Sequence, residues 1–294
     1  MQISANGIAL EVEDHGSPNG EPLLLVMGLG MQLVAWHDDF VRSLVDRGFR
    51  VIRFDNRDIG LSRSFDALGM PSLGWGSMKH LLGLQVSSPY SLVDMANDCV
   101  GVLDALGIAS AHVCGASMGG MIAQQLAARH PQRVKSLTLM MTSSGARRLP
   151  GPSMKVRSAM LSRPADPKSI DSVVAHYVSL YKLIGSPGYP SSDEWLRQRL
   201  NMSVRRSHRP QGTARQLMAI FADGDRSALL ASLKVPTQVL HGVADPLVPV
   251  AAGHDLARKI PGAKIDLVEG MGHDLPVPLW PRFVASVSDA ASRA

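Results

Sequence analysis

Short apolar runs recur along the chain, separated by longer stretches in which apolar and polar positions alternate with a helical period. Residues 23–27, 50–54, 111–114, 136–141, 237–241 and 264–268 read as strands, and their near-continuous apolar character suits strands covered on both faces. Helical patterns at 40–47, 91–106, 118–129, 251–259 and 280–290 follow most of these strands. Such alternation implies an α/β architecture, a mostly parallel sheet with right-handed crossovers and helices on both faces. Two further strands, 2–5 and 8–13, flank Asn6-Gly7, a strong hairpin signal, and bring the expected sheet to eight strands.

Two segments break the rhythm. Residues 65–90, rich in Gly, Met and Leu, are too long for a plain connection and predict a short helix. Residues 142–230 lie between the sixth and seventh strands and hold helical patterns such as 169–183 and 193–204, punctuated by Pro164, Pro167, Pro187 and Pro190. An insertion of this size predicts a helical cap over the strand ends. The expected division is a core of residues 1–141 and 231–294 and a cap of residues 142–230.

Composition narrows the class. The 294 residues are 45% hydrophobic and 19% charged, as expected of a soluble globular chain. No apolar run approaches the roughly 20 residues that span a bilayer, so stable membrane insertion is not expected. The start, Met1-Gln2-Ile3-Ser4, has no basic stretch leading into an apolar one, which predicts no signal peptide and a cytoplasmic location. The two cysteines, Cys99 and Cys114, fit buried free thiols in a reducing compartment. The ten histidines form no ligand-like cluster, and no metal or organic cofactor is expected. The net charge of +5 is uneven, with thirteen Lys/Arg against four Asp/Glu between residues 145 and 222. That basic segment could face acidic substrates, a second subunit in a homodimer or a membrane surface; a solvated helical surface is the plainer reading. Nothing reads as a nucleic-acid module.

The chemistry centres on Gly115-Ala116-Ser117-Met118-Gly119, a G-x-S-x-G between a strand and a helix. The chain must turn sharply there, which lifts the Ser117 hydroxyl above the sheet edge, and Gly115 and Gly119 remove side chains that would clash. Serine needs a base to take its proton and a carboxylate to hold the base. Asp245 follows the strand at 237–241 and His273 follows the strand at 264–268, so both loops emerge at the same carboxyl edge as Ser117. Thr142-Ser143-Ser144, after the strand at 136–141, offers no carboxylate. Asp223 and Asp225 precede a strand instead of following one, and Asp274 is expected to cap the last helix or face solvent. Main-chain donors for a developing oxyanion are expected at Met118, which opens the helix, and at Leu29 in Met27-Gly28-Leu29-Gly30, where Gly28 and Gly30 let the backbone approach.

These residues, with Asp55-Asn56-Arg57-Asp58-Ile59-Gly60-Leu61-Ser62, resemble the α/β-hydrolase superfamily over nearly the whole chain, and within it the bacterial cap-bearing serine esterases. Met-Gly at the oxyanion loop, where many members have His-Gly, is similar to the aclacinomycin methylesterase-like hydrolases. Asp58 stands where many members have glycine. The resemblance implies acyl chemistry on a small-molecule ester, with Ser117 as nucleophile, His273 as base, Asp245 as its partner and no cofactor.

The pocket is less legible. Met271 flanks the expected site, Trp75 lies in the long loop, and Tyr177 and Tyr181 lie in the cap; together with Gly28 and Gly30 they are candidate walls for an apolar group of small to medium size. The sequence leaves open carbon–carbon bond hydrolysis, lactone opening or acyl transfer on the same triad, and a non-catalytic ligand receptor on the same fold.

Overall fold

The computed structural model describes all residues, 1–294. Its strands are β1 (Gln2–Ala5), β2 (Ile8–His15), β3 (Glu21–Val26), β4 (Phe49–Phe54), β5 (Ala111–Ala116), β6 (Val134–Met140), β7 (Thr237–Gly242) and β8 (Lys264–Val268). They form one eight-stranded sheet in the order β1-β2-β4-β3-β5-β6-β7-β8. β1 and β2 form the expected antiparallel hairpin, with Asn6 and Gly7 both at positive φ, and β2 runs antiparallel to β4; every other pair is parallel.

The helices of the core are α1 (Asp38–Val45), α2 (Leu73–Leu81), α3 (Leu92–Ala105) and α4 (Met118–Arg129). Between β6 and β7 come α5 (Met154–Leu161), α6 (Ile170–Ile184), α7 (Asp193–Arg206), α8 (Pro210–Asp223) and α9 (Ser227–Ala231), and α10 (Ala251–Lys259) and α11 (Trp280–Ala291) complete the chain. Local chemistry sets several of their starts. Ser91 and Asp94 form a reciprocal capping box at α3, while Ser169 and Ser192 cap α6 and α7.

Alternation along each strand divides the apolar core in two. Leu24 and Val26 of β3 point into a 32-residue cluster with α3 and α4, while Leu23 and Leu25 point into a 20-residue cluster with α1 and α11. Ala219 of α8 and Leu230 of α9 belong to the larger cluster, so the end of the inserted segment packs as part of the core. α6 and α7 share a small cluster of their own, Val174, Val178, Leu196 and Leu200. Cys99 and Cys114 are free and buried, and burial pushes the Cys114 thiol up to about 12. No helix is long and apolar enough to cross a membrane.

The topology fixes where a site can form. From β3 the chain crosses to β4 on one side, then returns to place β5 on the other side of β3. The carboxyl ends of β3 and β5 therefore diverge and leave a crevice, the usual ligand position in open α/β sheets. Val26 pairs with Gly115, so the loops after β3 and β5 open side by side at that crevice.

Candidate active site

Ser117 is the single residue between β5 and α4, with φ 54° and ψ −119°. A left-handed backbone at a non-glycine residue costs on the order of 1–3 kcal/mol. Close packing holds it: a side chain on Gly119 would run into the Val26 carbonyl, and one on Gly115 into the Gly119 backbone. Both glycines are thus required by the approach of α4 to β3 and β5. The Ser117 N–H is anchored on the Met140 carbonyl at 2.9 Å.

Three loops converge on this serine. His273 Nε2 lies 3.0 Å from Ser117 Oγ, and His273 Nδ1 lies 2.7 Å from Asp245 Oδ2. The other oxygen of Asp245, Oδ1, accepts the N–H groups of Leu247 and Val248 at 2.9 and 2.8 Å, which fixes the carboxylate plane. Asp245 and His273 are buried and Ser117 is half-buried. Behind them the His241 Nε2–H donates to the Val248 carbonyl, 2.8 Å away, with Nε2 3.7 Å from Asp245 Oδ2. Burial holds the His241 pKa below its ordinary value.

The loop after β3 lies over Ser117. A Cβ on Gly28 would stand 3.1 Å from the Ser117 Cβ, so only glycine lets this backbone come so near. The Leu29 N–H enters no hydrogen bond within the chain, and the Met118 N–H is among those the first turn of α4 leaves free. Gly30 has φ 69°, and its N–H is held by Gln216 Oε1 at 2.9 Å. Gln216 in turn donates to the Arg57 carbonyl at 2.9 Å. Met27 packs its side chain in the second core cluster, and its carbonyl accepts from Asn56.

The other sequence expectations fall in different places. Tyr181 reaches the loop after β3, its hydroxyl 2.8 Å from Met31 Sδ. Tyr177 packs beside the small α6–α7 cluster, with its hydroxyl 3.4 Å from His208 Nε2. Trp75 is 56% exposed on α2, where Lys79 lies over its ring, and α2 turns Gly76 instead toward Met218. Met271 requires a correction. Its side chain is wholly buried with Leu240, Val268 and Phe283, so it packs in the apolar core instead of facing open space beside the serine. Asp223 pairs with Arg226. Asp274 neither caps α11 nor faces solvent freely, because it accepts a hydrogen bond from Ser186 of the inserted segment.

Sequence reasoning missed Gln216, Arg215 and Ser186. Gln216 and Arg215 sit fully buried among the apolar positions of α8, and a polar residue on an apolar helix face is the signal that could have found them. Arg215 also explains the unusual Asp58. That residue adopts φ 74°, the conformation glycine favours, and its carboxylate is gripped by Arg215 at 2.6 and 2.7 Å and by the Tyr90 hydroxyl at 2.9 Å.

A strained serine in a strand-to-helix turn, a His–Asp pair from the ends of the last two strands and a glycine loop above it form one constellation. Residues 21–277 match the family model of the alpha/beta hydrolase fold. The chain belongs to the α/β-hydrolase fold family. It is similar to the rhodomycin D methylesterase DnrP of Streptomyces peucetius, 28% identical over 305 residues that cover 97% of this chain and 95% of that protein. It is also similar to the rhodomycin D methylesterase DauP of Streptomyces sp. strain C5, 27% identical over 303 residues, with the same shares of the two chains. Among solved structures, the meta-cleavage product hydrolase CumD of Pseudomonas fluorescens IP01 superposes with a TM-score of 0.77 at 20% identity, over 100% of this chain and 97% of that one. This last likeness speaks for the fold alone.

Proposed function

We propose that this α/β hydrolase is a carboxylic ester hydrolase in which Ser117 forms an acyl-enzyme. Ser117 Oγ attacks the ester carbonyl carbon while its proton passes to His273 Nε2, 3.0 Å away. Asp245 holds the imidazole by Nδ1 and stabilises the imidazolium that forms. The carbonyl oxygen gains negative charge and meets the N–H groups of Leu29 and Met118; a donor of this kind is commonly worth about 3–4 kcal/mol in the transition state. The imidazolium then protonates the departing alcohol. Water, deprotonated by His273, releases the acid and restores Ser117.

The observation that carries this reading is the Ser117–His273–Asp245 chain of contacts beneath two unused backbone donors. The methylesterase relatives, matched across 97% of the chain, support ester hydrolysis over other acyl chemistry. A methyl ester of an apolar carboxylic acid is therefore the first substrate to try. Tyr181 and Met31 place apolar and polarisable surface beside the loop after β3, which suits such an acid. The division into a core and a cap of residues 142–230, a reducing cytoplasmic setting for the free cysteines, and assembly as a homodimer belong to the same proposal; light scattering on a size-exclusion column decides the last.

Hydrolysis of short p-nitrophenyl esters tests the activity. Ser117→Ala should lose at least about 10³-fold in kcat and all labelling by a fluorophosphonate. Full activity in that variant would sink the assignment. Product analysis with methyl esters, lactones and an added acceptor alcohol separates hydrolysis from acyl transfer.

A further inference from the structure

The end of α6 touches the site twice. Tyr181 contacts Met31 in the loop after β3. Three residues further on, Ile184 to Gly188 grip the loop that carries His273. The His273 N–H donates to the Ile184 carbonyl at 2.7 Å. The Gly272 N–H donates to Ser186 Oγ at 2.9 Å, and Ser186 Oγ donates to the Asp274 carboxylate. The Gly188 N–H donates to the Gly270 carbonyl at 2.9 Å. The contact is close as well as polar. A Cβ on Gly272 would collide with the Gly185 and Ile184 carbonyls, and a Cβ on Gly270 would lie 3.0 Å from Gly188. Ser186 is 3% exposed, so its bonds form away from water.

The geometry points to Ser186 as a positioning residue for His273: anchored on the Asp274 carboxylate, it ties the end of α6 to the loop of the base. The inference rests on the esterase reading given above. The inserted helices are joined to the base by hydrogen bonds through buried backbone, so the base keeps its place only while the end of α6 stays docked. The side chains that touch the His273 ring are Asp245 and Ser117, with His241 behind Asp245. The groups facing Asp274 are Ser186 and Gly185 at the end of α6. Burial raises the Asp274 pKa, and the Ser186 hydrogen bonds and His273 oppose that rise.

Two variants separate tether from charge. Asp274→Asn keeps a side-chain oxygen for Ser186 but removes the charge. Its kcat on p-nitrophenyl acetate should stay within about threefold of the unaltered protein, because the tether persists. Ser186→Ala removes the acceptor of the Gly272 N–H, and kcat should fall about tenfold with KM changed less than twofold, the pattern of a group that acts in the transition state. A kcat loss in Asp274→Asn as large as that in Ser186→Ala would assign the effect to charge and overturn the tether. Unchanged kcat in Ser186→Ala overturns the tether. Failure of the esterase reading shows differently, as no hydrolysis and no fluorophosphonate labelling in the unaltered protein.

Discussion

Ser117 concentrates in one residue the strain and the chemistry of the site. Its left-handed backbone is stable only because Gly115 and Gly119 let α4 sit against β5 and β3. The motif was legible in the sequence because no other residue type fits those two positions. His273 and Asp245 were legible for a different reason: each follows a strand, and parallel strands deliver their loops to one edge. Gln216 and Ser186 were not legible, because their partners Gly30 and Gly272 lie 186 and 86 residues away. His241 supports a prediction at this scale. Burial holds its folded pKa below the ordinary histidine value of 6.5, so the unfolded chain binds the proton first as pH falls. Stability present above pH 6.5 is therefore lost as pH drops through that value toward the folded pKa. One such group gives a slope of at most about 1.4 kcal/mol per pH unit. His241→Gln should flatten the fall in urea-measured stability between about pH 7.5 and 5.5. His37, His112 and His208, also lowered by burial, remain in both proteins and cancel in the comparison.

Among the elements, α8 departs most from what the apolar pattern suggested. It lies inside the expected cap segment, yet Ala219 packs in the main core and Arg215 forms a pair with Asp58 in which neither side chain is exposed. Asp58 can stand in a glycine-favoured conformation because that pair, Tyr90 and the Phe65 N–H all hold it. Arg215→Met would leave a buried carboxylate without its cation. The expected loss is about 3 kcal/mol in urea unfolding, toward the lower end for a broken buried pair. The double variant Arg215→Met with Asp58→Gly should recover at least half of it, since glycine removes both the charge and the backbone strain. A double variant no more stable than the single one would show that the pair is not what holds this loop.

At the scale of the whole molecule, the sheet and its two clusters carry the fold, and the α6–α7 pair is a dependent element. Its own core is four buried side chains, each worth roughly 1.5–3 kcal/mol, too little to offset the ordering of some 40 residues at about 1–2 kcal/mol each. Residues 146–206 made as a separate peptide should therefore show no cooperative thermal transition in far-UV circular dichroism. In an intact chain with Trp195 as its one tryptophan (Trp36, Trp75 and Trp280 replaced by Phe), fluorescence and far-UV signal should change together. The sequence by itself determined the alternation of strands and helices, the hairpin at Asn6-Gly7, the sharp turn at Ser117 and the loops of Asp245 and His273. Each of these is a local signal, set by side-chain period or by a backbone conformation only certain residues adopt. Tertiary structure alone decided that Met271 packs in the apolar core, that α8 joins the core, and that Ser186 holds the loop of the base. Those contacts pair residues far apart in the chain, and no spacing or composition along a single sequence records which distant groups will meet.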